Sequence, residues 1–270
     1  MKAPTTALVG AEFRSRYRTL LALFAGTFVF LLVLAGTYTA LGGASGLNKS
    51  FGKNQPAFLS AFAGSRSANL FAPENFVGFG FLHPLFLVLT LAVGISIGTA
   101  AVAGDIETGR FELLYTRPLR RTTILDARLG VWLIAQLAVV AAGVVGAWLG
   151  TRLSEDLRGI SPVLFLRIAA QYLPLAVFFA AVAFAASSTA RTRGHALAVT
   201  VGVAAVAYLV NFLALLWHPL AWAQRITPFG YYSPLESINR VDVANIVVLL
   251  AASGALLVAA RWWVERRDLV

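Results

Sequence analysis

Six long apolar runs dominate the sequence, and each is long enough to cross a lipid bilayer. They fall at roughly residues 20–41, 81–103, 129–149, 163–186, 196–217 and 243–260. A helix needs about 20 apolar residues to cover the hydrocarbon core. No water is present there to satisfy backbone N–H and C=O groups, so such runs fold as helices. Of the 270 residues, 59% are hydrophobic and only 13% are charged, against about 25% charged in soluble domains. A soluble chain of this length could not cover that much apolar surface. The expected fold is all-α: a polytopic membrane protein, with residues 1–270 forming one transmembrane domain of six helices.

Six crossings leave both termini on one side. Placing that side in the cytoplasm assigns Lys2, Arg14, Arg16, Arg18, Arg110, Arg117, Arg120, Arg121, Arg128, Arg191, Arg193, Arg261, Arg266 and Arg267 to inner segments. Lys49, Lys53, Arg66, Arg152, Arg158, Arg167, Arg225 and Arg240 are then outside, spread over more sequence. The excess of inner Lys and Arg favours cytoplasmic termini. The formal charge is +10, a balance also found in nucleic-acid-binding proteins. Here the basic residues stand singly or in small groups between apolar runs, so the expected partner is the lipid bilayer and not nucleic acid. The absence of cysteine excludes disulfides and thiolate metal sites. The first charges precede a run long enough to span, unlike the layout of a signal peptide. The high Ala and Arg content fits a GC-rich prokaryote, and the expected location is a prokaryotic cell (inner or plasma) membrane.

Three regions flank or interrupt the spans. Along residues 1–19 and up to the first span, Val9, Phe13, Tyr17 and Leu20 recur at helical spacing, with Arg14, Arg16 and Arg18 mostly off that stripe. This fits an amphipathic helix lying in the interface, or a plain positive anchor for the first span. The outer loop over residues 42–80 has room for short interfacial helices. In residues 218–242, Pro219, Pro228 and Pro234 interrupt an otherwise apolar segment, and Trp222, Phe229, Tyr231 and Tyr232 suit the headgroup level. Short re-entrant helices in the outer leaflet are expected there, because irregular backbone survives at depth only where protein or water satisfies it.

Several chemistries are disfavoured. No acidic residue falls in the middle of a span, as a proton-relay carrier would need. GLNKSFGKN at residues 46–54 superficially resembles a phosphate loop, but its spacing is one residue long, Asn54 stands where Ser or Thr belongs, and no strand precedes it. Ser45 lies in a Gly-rich setting without a histidine base in sequence reach, and His83, His195 and His218 are too scattered for a metal site. Inside the spans, Gly94-Ile-Ser-Ile-Gly98 and Gly146-Ala-Trp-Leu-Gly150 have the spacing that lets helix backbones approach, within the chain or between subunits. The polar span residues Gln136, Arg167, Gln171, Tyr208 and Asn211 are candidates for a substrate path. Arg167 and Gln171, four apart, share a helix face. The alternative is that Arg167 reaches to the outer surface while Gln171 bonds a neighbouring helix.

The remaining feature is GDIETGRFELLYTRPLRR at residues 104–121, a charged stretch between the second and third spans. A short helix is expected from Glu107 to Tyr115, ending before Pro118. Phe111, Leu114 and Tyr115 would form one apolar ridge, with Glu107, Arg110 and Glu112 off it. Such a helix can plug into a groove on a soluble partner, leaving Arg117, Arg120 and Arg121 for lipid phosphates or partner carboxylates. A solvated loop serving orientation alone is the alternative.

These residues resemble the permease subunit of an ABC-2 type ABC transporter. That family has an acidic, Gly-containing end to its second helix, then a Leu-rich stretch and a Pro-x-x-Arg turn. Here they stand as Asp105, Glu107, Thr108-Gly109, Phe111-Glu112-Leu113-Leu114 and Arg117-Pro118-Leu119-Arg120. Where the third helix begins, the family commonly carries a Gly-Lys pair, and this chain has Asp126-Ala127-Arg128 instead. Residues 226–234, ITPFGYYSP, also resemble the family's outer segment before its last helix. The resemblance implies a coupling helix within a cytoplasmic loop at 104–127, seated in a groove of a separate ABC ATP-binding subunit. Its coupling residues would be Asp105, Glu107, Gly109, Phe111, Glu112, Leu114, Tyr115, Arg117, Pro118 and Arg120. It further implies that ATP and Mg bind in the partner and none in this chain, that a second copy completes a homodimer, and that the cargo is exported. An amphipathic or hydrophobic drug, lipid or peptide suits the apolar spans. A non-transporting membrane scaffold or assembly protein is the other class of function the sequence fits.

Overall fold

The computed structural model describes residues 3–51, 59, 61, 69–109 and 121–267. Its regular secondary structure among these residues is helical, joined by short turns. The α-helices are α1 (Ala3–Ala40), α2 (Gly43–Phe51), α3 (Pro73–Gly80), α4 (Pro84–Thr99), α5 (Ala103–Glu107), α6 (Arg121–Leu153), α7 (Pro162–Thr189), α8 (Arg193–Leu216) and α9 (Val243–Arg266). Among the described residues, six spans are long and apolar enough to cross a membrane: Val9–Ala40, Pro73–Thr99, Thr122–Leu153, Pro162–Thr189, Arg193–Leu216 and Val243–Arg266.

The helix ends follow local chemistry. Pro84 and Pro162 open α4 and α7 at positions where a missing N–H costs nothing. Ser161 Oγ accepts the Val163 N–H, and Thr192 Oγ1 accepts the His195 N–H. Asp242 Oδ1 accepts the N–H groups of Ala244 and Asn245 at 2.9 and 3.2 Å. Each is a side-chain cap on an otherwise orphaned backbone donor.

Three spans differ from the apolar runs. The first is one continuous 38-residue helix with no break between an interfacial piece and the crossing. The arginines at 14, 16 and 18 are good helix formers, so nothing local ends the helix there. The second span begins earlier than residue 81. It is assembled from α3, which ends at Gly80, and α4, which starts at Pro84, where the residue before proline is biased away from helical backbone. The last span runs on to Arg266, past Trp262 and Trp263.

Helices α4, α6 and α7 form the centre, while α1, α8 and α9 expose most of their outer faces. Both glycine pairs are used within the chain. Gly146 and Gly150 of α6 pack against α1, so close that a Cβ on Gly146 would collide with the Phe28 carbonyl oxygen and one on Gly150 would sit 2.7 Å from Ala35 Cβ. Gly94 and Gly98 of α4 pack against α7, where an added Cβ would meet Ala180 Cβ at 3.0 Å and Ala183 Cβ at 2.6 Å. Helix α7 passes through Pro174 without ending.

An aromatic chain fills the core toward the α3–α4 junction. Phe81 packs on Phe86, Phe86 on Tyr172 and Tyr172 on Tyr232, with ring centroids 5.1, 5.1 and 5.5 Å apart. The Tyr172 hydroxyl bonds Thr90 Oγ1, and the Tyr232 hydroxyl donates to the Phe81 carbonyl at 3.1 Å. Burial, reinforced by neighbouring Tyr172, pushes the Tyr232 hydroxyl well above its ordinary pKa, so it remains a donor. Residues 218–238 form three short 3-10 helices. Of the aromatics expected at the headgroup level, Phe229 and Tyr232 are buried within the protein, and Trp222 is exposed. The prolines fold this segment back onto the bundle, where the rings of Phe229, Phe179 and Tyr208 meet.

Candidate functional site

Helix α5, only five residues long, carries the head of the charged loop. Ser187 of α7 fastens the turn that leads into it. Its Oγ accepts the N–H groups of Val102 and Ala103, both at 3.0 Å, and donates to the Thr99 carbonyl at 2.9 Å. This places Asp105 against α6. There the Arg128 guanidinium makes a two-pronged contact, Nη1 to Oδ2 at 2.6 Å and Nη2 to Oδ1 at 3.1 Å. Nη1 also donates to the Ala101 carbonyl. Asp105 is 4% exposed and Arg128 is 7% exposed, so both charges are withdrawn from water and depend on each other.

The cluster continues into α1. Arg128 Nε lies 2.9 Å from Glu12 Oε1, and Arg16 Nε lies 3.1 Å from Glu12 Oε2. Arg16 then donates from Nη1 to the Ser96 carbonyl on α4 at 3.1 Å. Two carboxylates and two guanidinium groups thus join α1, α4, α5 and α6. Each Glu12 oxygen is occupied by an arginine.

A second clasp joins the loop to α8. Glu107 Oε2 accepts the backbone N–H of Arg193 at 2.8 Å. Arg193 is the first residue of α8, so the carboxylate meets the positive end of that helix. Close by, Arg267 donates to the carbonyls of Ser188 and Ala190 at 2.6 and 2.9 Å, closing the C-terminus of α7.

After Glu107 the chain leaves the helix at Thr108, and Gly109 takes a left-handed φ of +67°. The helix expected from Glu107 to Tyr115 therefore does not run on through these two residues. Phe111, Glu112, Leu114, Tyr115, Arg117, Pro118 and Arg120 lie outside the described residues.

A groove of about 490 Å3 opens between α4 and α8. Leu87, Leu91, Ile95, Leu197, Val201 and Tyr208 line it, Phe229 lies on it, and Arg193 stands at one end. Of the five polar span residues singled out above, Tyr208 is the one among its lining residues. Gln136 and Gln171 are 1% exposed inside the bundle. Gln171 Nε2 donates to the Tyr231 carbonyl at 3.2 Å. Arg167, on the same face, donates to the carbonyls of Ile238 and Asn239 at 2.9 and 3.2 Å. Asn211 Oδ1 accepts from Thr227 Oγ1 at 3.4 Å. These contacts hold the 218–239 segment onto the bundle.

Residues 46–51 of the phosphate-loop-like stretch are helical, the end of α2. They do not form the turn of consecutive N–H groups that cradles a phosphate.

Sequence reasoning missed Glu12, Ser187 and the Arg193 N–H. It registered Arg128 as one of the inner arginines and as a departure from a family pattern, but not as the partner of Asp105. Neither Glu12 nor Ser187 stands in a recognisable motif.

A family model described as ABC-2 family transporter protein matches residues 6–269. No curated protein and no solved structure matches the chain.

Proposed function

Because the chain belongs to the ABC-2 family of transporter proteins, and is thus a membrane permease component of an ABC transporter, we propose that it exports an amphipathic or hydrophobic cargo on energy from a separate ATPase. In this reading two copies pair as a homodimer, and the termini lie in the cytoplasm of a prokaryotic cell. ATP and Mg sit in the partner ATP-binding subunits. The loop over 104–127 receives the partner through Phe111, Leu114 and Tyr115, flanked by Glu112, Arg117, Pro118 and Arg120.

The observation that carries the reading is the ionic joint at the loop's head. A push on residues 110–120 reaches α6 through Asp105 and Arg128, α1 through Glu12, and α8 through Glu107. Packed helices answer such a push by moving as bodies, not by deforming. Movement of α8 against α4 changes the width of the groove between them. That groove is apolar along its length, which suits a cargo with a large hydrophobic surface. Tyr208 supplies a polar handle there.

The test uses the absence of native cysteine. A Leu114→Cys chain is co-expressed with an ABC ATPase carrying a cysteine in its receiving groove. A disulfide that forms in membranes, together with ATPase stimulation by cargo in the wild-type pair, supports the reading. Copurification failure, or labelling of the Leu114→Cys chain from outside the cell by an impermeant maleimide, overturns it.

A further inference from the structure

A second groove, of about 610 Å3, runs between α1 and α6, with Ala135 and Val139 of the buried core among its lining residues. Its floor is made by small residues, Ala135 and Ala138, and its walls by Leu21, Phe24 and Ile134. Leu21 and Ile134 are 63% and 56% exposed, too much for side chains that meet only protein. At its lower end stand Arg14 and Tyr17. Arg18, four residues from Arg14 and therefore on the same face, rests on the Tyr17 ring at 5.7 Å and donates from Nε to the Tyr17 hydroxyl at 3.0 Å. Arg14 makes no ion pair or hydrogen bond among the described residues.

We propose that this groove binds one anionic phospholipid from the leaflet on the side of the termini, with the phosphate on Arg14 and Arg18 and an acyl chain along α1 and α6. Three observations choose this occupant. The first is length. Arg14 to Phe24 spans ten residues, roughly 15 Å of helix, which is about one leaflet of a ~30 Å hydrocarbon core. The second is polarity. The groove changes once along its length, from guanidinium and phenol to purely aliphatic and aromatic walls, as a headgroup changes to a chain. The third is charge. A zwitterionic headgroup carries an ammonium that needs an acid. The nearby acid, Glu12, has both oxygens taken by Arg16 and Arg128. The mouth therefore presents two positive groups and no free carboxylate among the described residues. Arginine, with its forked donors, suits a phosphate better than lysine does.

The site is separate from the α4–α8 groove, and its test does not depend on transport. Purified full-length protein, stripped of lipid in detergent, is mixed with equal amounts of phosphatidylglycerol and phosphatidylcholine, and adducts are read by native mass spectrometry. The wild type is expected to retain phosphatidylglycerol on the order of tenfold over phosphatidylcholine. Arg14→Gln with Arg18→Gln should bring the two lipids to parity. Ala138→Trp, which fills the floor of the groove, should exclude both. If that variant melts early, the exposed arginine pair decides alone. Equal retention in the wild type, or selectivity unchanged in the double glutamine variant, overturns the proposal. So does a disulfide between two copies of a Leu21→Cys chain in native membranes, which would place a second copy in the groove.

Discussion

Arg128 holds Asp105 by both terminal guanidinium nitrogens, at 2.6 and 3.1 Å, across the whole charged loop that separates them in sequence. Neither charge has water to fall back on. Removing Arg128 takes away the ion-pair partner of buried Asp105, at a cost of about 3–5 kcal/mol. Arg128→Met should therefore lower the melting temperature in detergent sharply. Arg128→Met combined with Asp105→Leu should recover much of the loss. A double variant no more stable than the single one would show that the pair is not mutually dependent.

Glu107 tests transmission separately from stability. It is exposed, and its one side-chain bond among the described residues is to the start of α8. Glu107→Ala should cost under about 1 kcal/mol, the range of a helix N-terminal carboxylate. Cargo transport should fall much further than stability, with the ATPase still copurifying. Glu107→Gln keeps an acceptor oxygen and should restore part of the transport.

The α4–α8 groove makes its own prediction. Ala205 lies on its wall and is exposed, so Ala205→Trp can occupy the groove without opening the core. Transport of a hydrophobic cargo should drop while thermal stability and ATPase assembly hold. Unchanged transport would move the cargo path elsewhere.

The glycine contacts are tested by direction. Gly98→Val adds atoms where even a Cβ sits 2.6 Å from Ala183 Cβ. Overpacking of this kind costs about 1–3 kcal/mol. Gly202→Ala on α8 meets nothing within 4 Å, and should be neutral or raise stability by up to about 1 kcal/mol. Melting curves in one detergent compare the two.

What could be read from the sequence divides along a physical line. Spans are written in local composition, so all six were legible from runs of apolar residues. Caps such as Asp242 are local too. The joint is not, because Glu12 and Arg128 lie 116 residues apart and neither belongs to a periodic pattern. Arg167 and Gln171 do share one face, but their partners are backbone carbonyls of residues 231, 238 and 239. A carbonyl carries no residue-type signal, so the sequence could not name it. Phe229 and Tyr232 looked like interfacial aromatics because aromatic rings serve equally at a headgroup boundary and in a core. The decision depended on how three prolines turned the chain.

The unbroken first helix has a mechanical side. Its 38 residues make a rod of roughly 57 Å, nearly twice the ~30 Å hydrocarbon layer. Gly146 pins it against Phe28, some 25 residues from the amino end. Pivoting there by about 10° would sweep the amino end, and with it the Glu12–Arg128 contact, through up to roughly 6 Å at this rise per residue. A rocking motion too slight to notice inside the bilayer therefore becomes, at the far tip, a displacement wider than a side chain.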